Sequence, residues 1–334
     1  MTSTQSLHPD RVPVVRLDGL TKSFGGTQAV RGAGFTIAAG EIHALCGHNG
    51  AGKSTVVKML SGQEKPDEGA VYICGSALDT RSRKHAQQSG VALVDQELSV
   101  VPSLTVAENL MLGDVATTWM NRRRRSGARF RSLLDGVGLD HVHINQPLSD
   151  LGIGERQLVE IARALGQDAR LVILDEPTAT LSDVESNYVY SAVRKVAASG
   201  CAVLFVSHRL GEVLDLCDNV TVMRDGQVVS TTPSTDLTVE SLIVQMLGSA
   251  QRRPDKRTDA DVVGPVVLSV DRLSVPDRVE DFSVDLRAGQ VYAVAGQLGS
   301  GASEVLRAIA GLMPSATASI DVDGRNVRIG HPGA

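Results

Sequence analysis

Gly47, Gly52, Lys53 and Ser54, within the run Gly-His-Asn-Gly-Ala-Gly-Lys-Ser-Thr at 47–55, stand at the spacing G-x-x-x-x-G-K-[ST]. That pattern cradles a polyphosphate. Glycines lack Cβ, so the chain turns tightly enough for several amides to point into one concavity. Lys53 then reaches the terminal phosphates, Ser54 offers a hydroxyl to Mg²⁺, and a helix starting here aims its positive end at the anion. Gly47, His48, Asn49, Gly50, Ala51, Gly52, Lys53, Ser54 and Thr55 are the expected phosphate-binding residues.

Three other positions fit the same chemistry. The apolar run Leu171 to Leu174 ends in Asp175-Glu176, and adjacent carboxylates at the end of a buried strand need a reason, since burying unpaired charge is expensive. Asp175 holding Mg²⁺, directly or through water, and Glu176 orienting and deprotonating an attacking water supply one. His208 follows a second buried run, Ala202 to Ser207, and becomes a candidate γ-phosphate contact at the same sheet edge. Gln96 lies just beyond the run Val91 to Val94, where ligands bind in open α/β sheets.

These groups require strands ending in loops. Residues 41–46 read as a strand into the glycine loop, and Val56, Val57, Met59 and Leu60 as the apolar face of the helix after it, with Gly62 placed to end it. Residues 14–17 and 69–74 read as strands, and 220–229 as a hairpin turning at Asp225-Gly226. From about Leu104 to Asn145 the pattern predicts helix. Leu158, Ile161, Ala162 and Leu165 form one buried helical face after Leu151-Gly152-Ile153-Gly154-Glu155-Arg156-Gln157. Phe24, upstream of the loop, suits a core position on sequence alone, or an exposed ring stacking on a base.

At 334 residues, 42% hydrophobic and 21% charged, the chain suits one and a half to two soluble globular domains. A net charge of -5 gives no reason to expect nucleic acid as a partner, and the block Arg122-Arg123-Arg124-Arg125 reads as a solvated helix face. Cys46, Cys74, Cys201 and Cys217 form no C-x-x-C pair and read as reduced, buried thiols. No apolar run approaches a membrane span and no signal segment opens the chain. A membrane partner would have to be another chain.

Together these residues resemble the nucleotide-binding subunit of an ABC transporter over most of 14–247. The resemblance implies an α/β P-loop NTPase fold with a central mixed sheet, an antiparallel β subdomain, and a helical subdomain at about 100–165 that touches the transmembrane partner. It implies ATP and Mg²⁺ as cofactors. Glu176, His208 and Gln96 would be catalytic, Ser54, Gln96 and Asp175 would serve Mg²⁺, and Phe24 would fall at the adenine-stacking position. Residues 151–157 would be the signature that meets ATP across a domain pair, with Gly152 and Gly154 contacting nucleotide. Two departures stand out: Leu-Gly-Ile-Gly-Glu replaces L-S-G-G-Q, and Ser182 holds the place of the D-loop aspartate, with Asp183 next.

Beyond a tail to residue 13, the first domain and a polar linker at 248–264, the sequence repeats. Gly40, Gly47, Gly52 and Gly62 recur as Gly289, Gly296, Gly301 and Gly311, each displaced by 249 positions (289 against 40, 296 against 47). Ala302 takes the lysine position and Glu304 that of Thr55, which weakens phosphate binding. Residues 265–334 thus read as the N-terminal part of a degenerate second copy. Tandem domains of this kind resemble the ATPase subunits of bacterial monosaccharide importers. That resemblance implies permease partners, an extracytoplasmic sugar-binding protein acting indirectly, and peripheral attachment at the cytoplasmic face of the membrane. Turnover would need the signature of a complete second domain. A nucleoside importer, a soluble ribosome-associated ABC factor and an inactive nucleotide-binding fragment are the other readings.

Overall fold

The computed structural model describes residues 13–95, 99–112, 127–166, 169–179, 181–248, 264–296 and 299–327. Gln96, Arg122 to Arg125, the tail and most of the 248–264 stretch lie outside the described residues. The chain divides into two compact units, Met1–Gln251 and Arg252–Ala334.

The first unit holds two sheets. An antiparallel sheet runs in the order β2 (Thr27–Ala38), β1 (Pro13–Phe24), β4 (Glu68–Ile73), β5 (Ser76–Ala77). Its longest pair, β1 with β2, includes Gly19 and Gly32 at positive φ, and the register shifts between Leu17 and Leu20. Those glycines permit a bulge while Val15, Leu17, Leu20 and Phe35 stay buried.

The central sheet is mixed. Its order is β10 (Gln227–Pro233), β9 (Asn219–Arg224), β3 (Ile42–Cys46), β8 (Ala202–Val206), β7 (Leu171–Asp175), β6 (Val91–Val94). All pairs are parallel except β9 with β10, whose hairpin turns at Asp225 (φ 50°) and Gly226 (φ 81°). The apolar runs of β7 and β8 follow from burial on both faces. Leu171, Ile173, Ala202, Leu204 and Val206 join one core cluster, with Val56 and Met59 of helix α1 (Lys53–Leu60). Val172, Leu174, Val203 and Phe205 join the other, with Leu158 and Ile161.

Beneath the glycine loop, β3 is tied to β9 by a polar network. Glu41 accepts from His43 Nδ1 (2.7 Å), Asn219 Nδ2 (2.8 Å) and the Ala38 amide (2.7 Å), and His43 Nε2 lies 2.7 Å from the Thr221 hydroxyl. Burial drives the Glu41 carboxyl up, but these donors together hold it below its ordinary value.

Helix is less continuous over 104–145 than its sequence predicts. After α2 (Arg83–Gln88), the described part of this stretch holds α3 (Val106–Met111) and α4 (Gly127–Gly136), but 137–147 is irregular. There Arg131 donates to the carbonyls of Val142 (2.7 Å) and Leu139, and Gly138 turns at φ 86°. Side-chain donors replace the missing helical bonds. Helix α5 (Ile153–Leu165) follows with Leu158, Ile161 and Ala162 of its predicted apolar face buried and Leu165 half-buried.

In the second unit, β12 (Val279–Arg287), β11 (Val266–Val275), β13 (Thr317–Val322) and β14 (Arg325–Val327) form an antiparallel sheet in that order. The helix Ala302–Ile309 starts at Gly301, φ 87°. Strand order and helix placement repeat those of β2, β1, β4, β5 and α1. The counterpart of β3, at 291–295, is not a strand, and Val291 is 96% exposed where Ile42 is 5% exposed.

Candidate nucleotide site

The glycine loop links the carboxyl end of β3 to α1, as its spacing predicts. Two glycines are required by contact: a Cβ on Gly47 would stand 2.5 Å from the Met223 carbonyl oxygen, and one on Gly52 2.6 Å from that of Ala29. Gly52 also sits at φ 101°, a conformation costly for residues with side chains. No side chain caps α1 and no acid occupies its first turn, so its first amides remain available to an anion.

Lys53 is 9% exposed, and its Nζ donates to the carbonyls of Gly47 (2.7 Å) and His48 (3.2 Å). Burial pulls the ammonium below its ordinary value, against the opposing field of Glu176, Cys46 and Asp175. The carbonyls curl the side chain back over its own loop.

Two strand ends supply the remaining groups. Asp175 closes β7, and burial, then Glu176 and Asp95, raise its pKa against the pull of Lys53. Glu176 follows at φ 51°, and its amide donates to the Val206 carbonyl (2.8 Å). A non-glycine residue in the left-handed region is strained, and such strain clusters at working sites. His208, just past β8, places Nδ1 3.2 Å from Glu176 Oε1.

These groups converge on a cleft of about 750 Å³ lined by Asn49 through Thr55, Asp175, Glu176, His208 and Ala29. Such a volume admits a small-molecule ligand. Ala29, an alanine on β2, carries no sequence signal for this place. Gly47 and His48 lie outside the lining, giving their carbonyls to Lys53, and the His48 ring faces Asp225 at 3.6 Å. Ala51 is fully buried, and its carbonyl accepts the Gly226 amide (3.1 Å), anchoring the loop to the β9–β10 turn.

Phe24 ends β1 before the Gly25-Gly26 turn and is 46% exposed, with Lys22 Nζ 5.4 Å from its ring centre. It is not a core residue, and it does not line the cleft. Gly152 and Gly154 stand apart from the lining too, at the start of α5. The Gly152 amide donates to Glu155 Oε2 (2.8 Å), whose Oε1 lies 2.8 Å from His141 Nε2. A Cβ on Gly154 would press Glu185 at 3.0 Å. Ser182 and Glu185 form a capping box at the next helix, Asp183–Ala198.

A metal would fit this donor set. Asp175 and Ser54 offer hard oxygens on one cleft, and no group of three or more His, Cys, Asp or Glu side chains suited to an ion occurs among the described residues. One or two protein oxygens with phosphates completing the shell is how Mg²⁺ is held.

Residues 30–179 match the family described as ABC transporter. The ribose import ATP-binding protein RbsA 3 of Rubrobacter xylanophilus is 42% identical over 321 residues, 96% of this chain and 64% of that protein. RbsA of Rhodococcus jostii is 40% identical over 98% of this chain and 65% of its own length. The chain therefore spans just under two thirds of these relatives. Among solved structures, the ADP conformation of MJ1267, an ATP-binding cassette of an ABC transporter, superposes with a TM-score of 0.61 at 25% identity, over 71% of this chain and 95% of that one. The first unit of this chain thus has the P-loop NTPase fold of an ABC ATPase cassette, and its residues 30–179 carry the sequence pattern of the ABC transporter family.

Proposed function

We propose that the chain binds Mg·ATP in the cleft between the glycine loop and the ends of β7 and β8, and hydrolyses it to energise import of a monosaccharide. The observation that carries this is the convergence of Lys53, Asp175, Glu176 and His208 on one cleft. The amides of 49–55 and Lys53 would hold the phosphates. Ser54 and Asp175, with Gln96, would hold Mg²⁺, which supplies charge neutralisation on the phosphates when bound. Glu176 would take the proton of the attacking water, with His208 fixing its carboxylate. Phe24 would cover the adenine.

Residues 265–334 are proposed to begin a second, degenerate nucleotide-binding domain after a 248–264 linker. The repeated strand order supports that reading. ATP on Lys53 would then meet a signature other than residues 151–157, supplied by a complete second domain or a partner. Gly152 and Gly154 would serve the opposite, degenerate site. The partners would be permease subunits that place the chain at the cytoplasmic face of the membrane, with a sugar-binding protein acting through them. Ribose import by the relatives supports a monosaccharide.

Titration with Mg·ATP tests this. Lys53→Ala is expected to lose binding by at least tenfold, and Glu176→Gln to keep binding while losing turnover about 10²-fold or more in a permease-reconstituted assay. Unchanged binding in the first, or wild-type turnover in the second, overturns the assignment.

A further inference from the structure

Glu212 takes no part in the cleft, yet it touches both loops that form it. It lies on a short helix, Leu210–Leu216, and its side chain is only 10% exposed. Its Oε2 accepts the hydroxyl of Thr178 at 2.7 Å and lies 3.4 Å from that of Ser207. Arg209 approaches Oε1 at 2.5 Å as an ion pair, without the alignment of a directed hydrogen bond. The Arg209 amide donates in turn to Ser207 Oγ (3.0 Å), and its other guanidinium nitrogen reaches Asp183 at 3.4 Å.

The sequence positions give these contacts their meaning. Ser207 and Arg209 flank His208 on either side, and Thr178 stands two residues after Glu176. Thr178 and Ser207 are buried, at 1% and 3% exposure, so neither hydroxyl has water as an easy substitute partner. One carboxylate therefore holds side chains on both sides of the imidazole and one on the far side of the strained Glu176. What it holds in register is the 3.2 Å approach of His208 Nδ1 to Glu176 Oε1.

A simple capping role explains less. Glu212 is in the first turn of its helix, where a carboxylate is favourable, but that role asks for neither a buried Thr178 nor a guanidinium shared with Asp183. Tyr190 adds to the enclosure: burial, and then its hydrogen bond to Glu212, push its phenol up to about 12.

We propose that Glu212 is a positioning residue, a buried carboxylate that locks the loops after β7 and β8 together so that His208 stays paired with Glu176. The strut from Arg209 to Asp183 extends the lock to the start of helix Asp183–Ala198, which packs on Gly154 through Glu185. Its effect on turnover rests on the hydrolysis proposed above; its effect on the His208–Glu176 pair does not.

Histidine-labelled NMR of the full chain tests it, with His208 assigned through His208→Ala. In Glu212→Ala the His208 ring resonances are expected to move to the positions seen in Glu176→Gln, while Mg·ATP affinity stays within about twofold of wild type. Glu212→Gln, which keeps an acceptor for Thr178 but loses the charge facing Arg209, is expected to shift part of the way. Thr178→Val, nearly isosteric, gives a second arm should Glu212→Ala unfold, and is expected to shift in the same direction. In a reconstituted transporter, turnover is expected to fall about 10²-fold without a matching rise in KM, as for a catalytic group displaced by about an ångström. Unmoved His208 resonances in folded Glu212→Ala, or in Thr178→Val if Glu212→Ala unfolds, overturn the proposal. Absence of Lys53-dependent Mg·ATP binding in wild type would instead overturn the function proposed for the cleft, leaving the NMR outcome to decide Glu212.

Discussion

The Nδ1 atom of His208 and the Oε1 atom of Glu176 stand 3.2 Å apart across the ends of two adjacent parallel strands. Neither residue brings the other close by its own sequence neighbourhood: the pairing of Asp175 with Val206 does so. A glutamate in the left-handed conformation has few ways to aim its carboxylate, and the imidazole selects one. His208→Ala is expected to lower turnover about 10- to 100-fold with KM for Mg·ATP little changed, a split that steady-state kinetics on a reconstituted transporter will read.

Asp175 makes a stability prediction of unusual sign. Burial and Glu176 raise its folded-state pKa above the ordinary 3.8, so the fold prefers the protonated form. The stabilisation this group contributes is full below the unfolded pKa and is lost as pH rises through the raised folded value. At neutral pH the ionised carboxylate therefore costs the ligand-free fold free energy. Asp175→Asn is expected to melt higher than wild type without ligand, by about 2–4 °C for each kcal/mol relieved. The same variant is expected to lose the Mg²⁺-dependent part of stabilisation by ATP. Thermal melts at pH 7, with and without Mg·ATP, check both signs.

Phe24 is half exposed beside Lys22 and apart from the phosphate cleft. If its ring covers the adenine, removing it acts on the base alone. Phe24→Ala is expected to weaken ATP binding by about 2- to 12-fold, the equivalent of the 0.5–1.5 kcal/mol of an aromatic stack. Affinity for inorganic tripolyphosphate is expected to stay the same. Calorimetric titration with the two ligands separates base from phosphate.

The cleft was legible where chemistry demands particular residues at particular spacing. Gly47, Gly52, Lys53 and Ser54 announce a phosphate loop because few other residues can make one, and Asp175-Glu176 stand out because an apolar strand has no other use for two acids. Ala29 and Glu212 were not legible. An alanine on a strand is anonymous, and a glutamate four residues after a histidine looks like any helix acid until Thr178 is seen against it. Strand β2 gives no period-two signal because Gly32 and Gly34 interrupt its alternation; the bulged pairing with β1 restores its buried face. The irregular stretch 137–147 holds Gly138 at φ 86°, Pro147 and three β-branched residues, all poor in a helix, and Arg131 satisfies carbonyls there that a helix would have used.

Residues 42–46 and 291–295 are related by the same offset of 249 as the paired glycines, but only the first segment is a strand, held between β8 and β9. Hydrogen exchange should see them as opposites. The amides of Ile42 to Cys46 exchange only when the central sheet opens, so they report the global stability of the first unit. Those of Val291 to Ala295, without ladder partners among the described residues, are expected to exchange at nearly the rate of a free peptide. Apolar composition alone holds neither segment extended: strand formation there belongs to the neighbours.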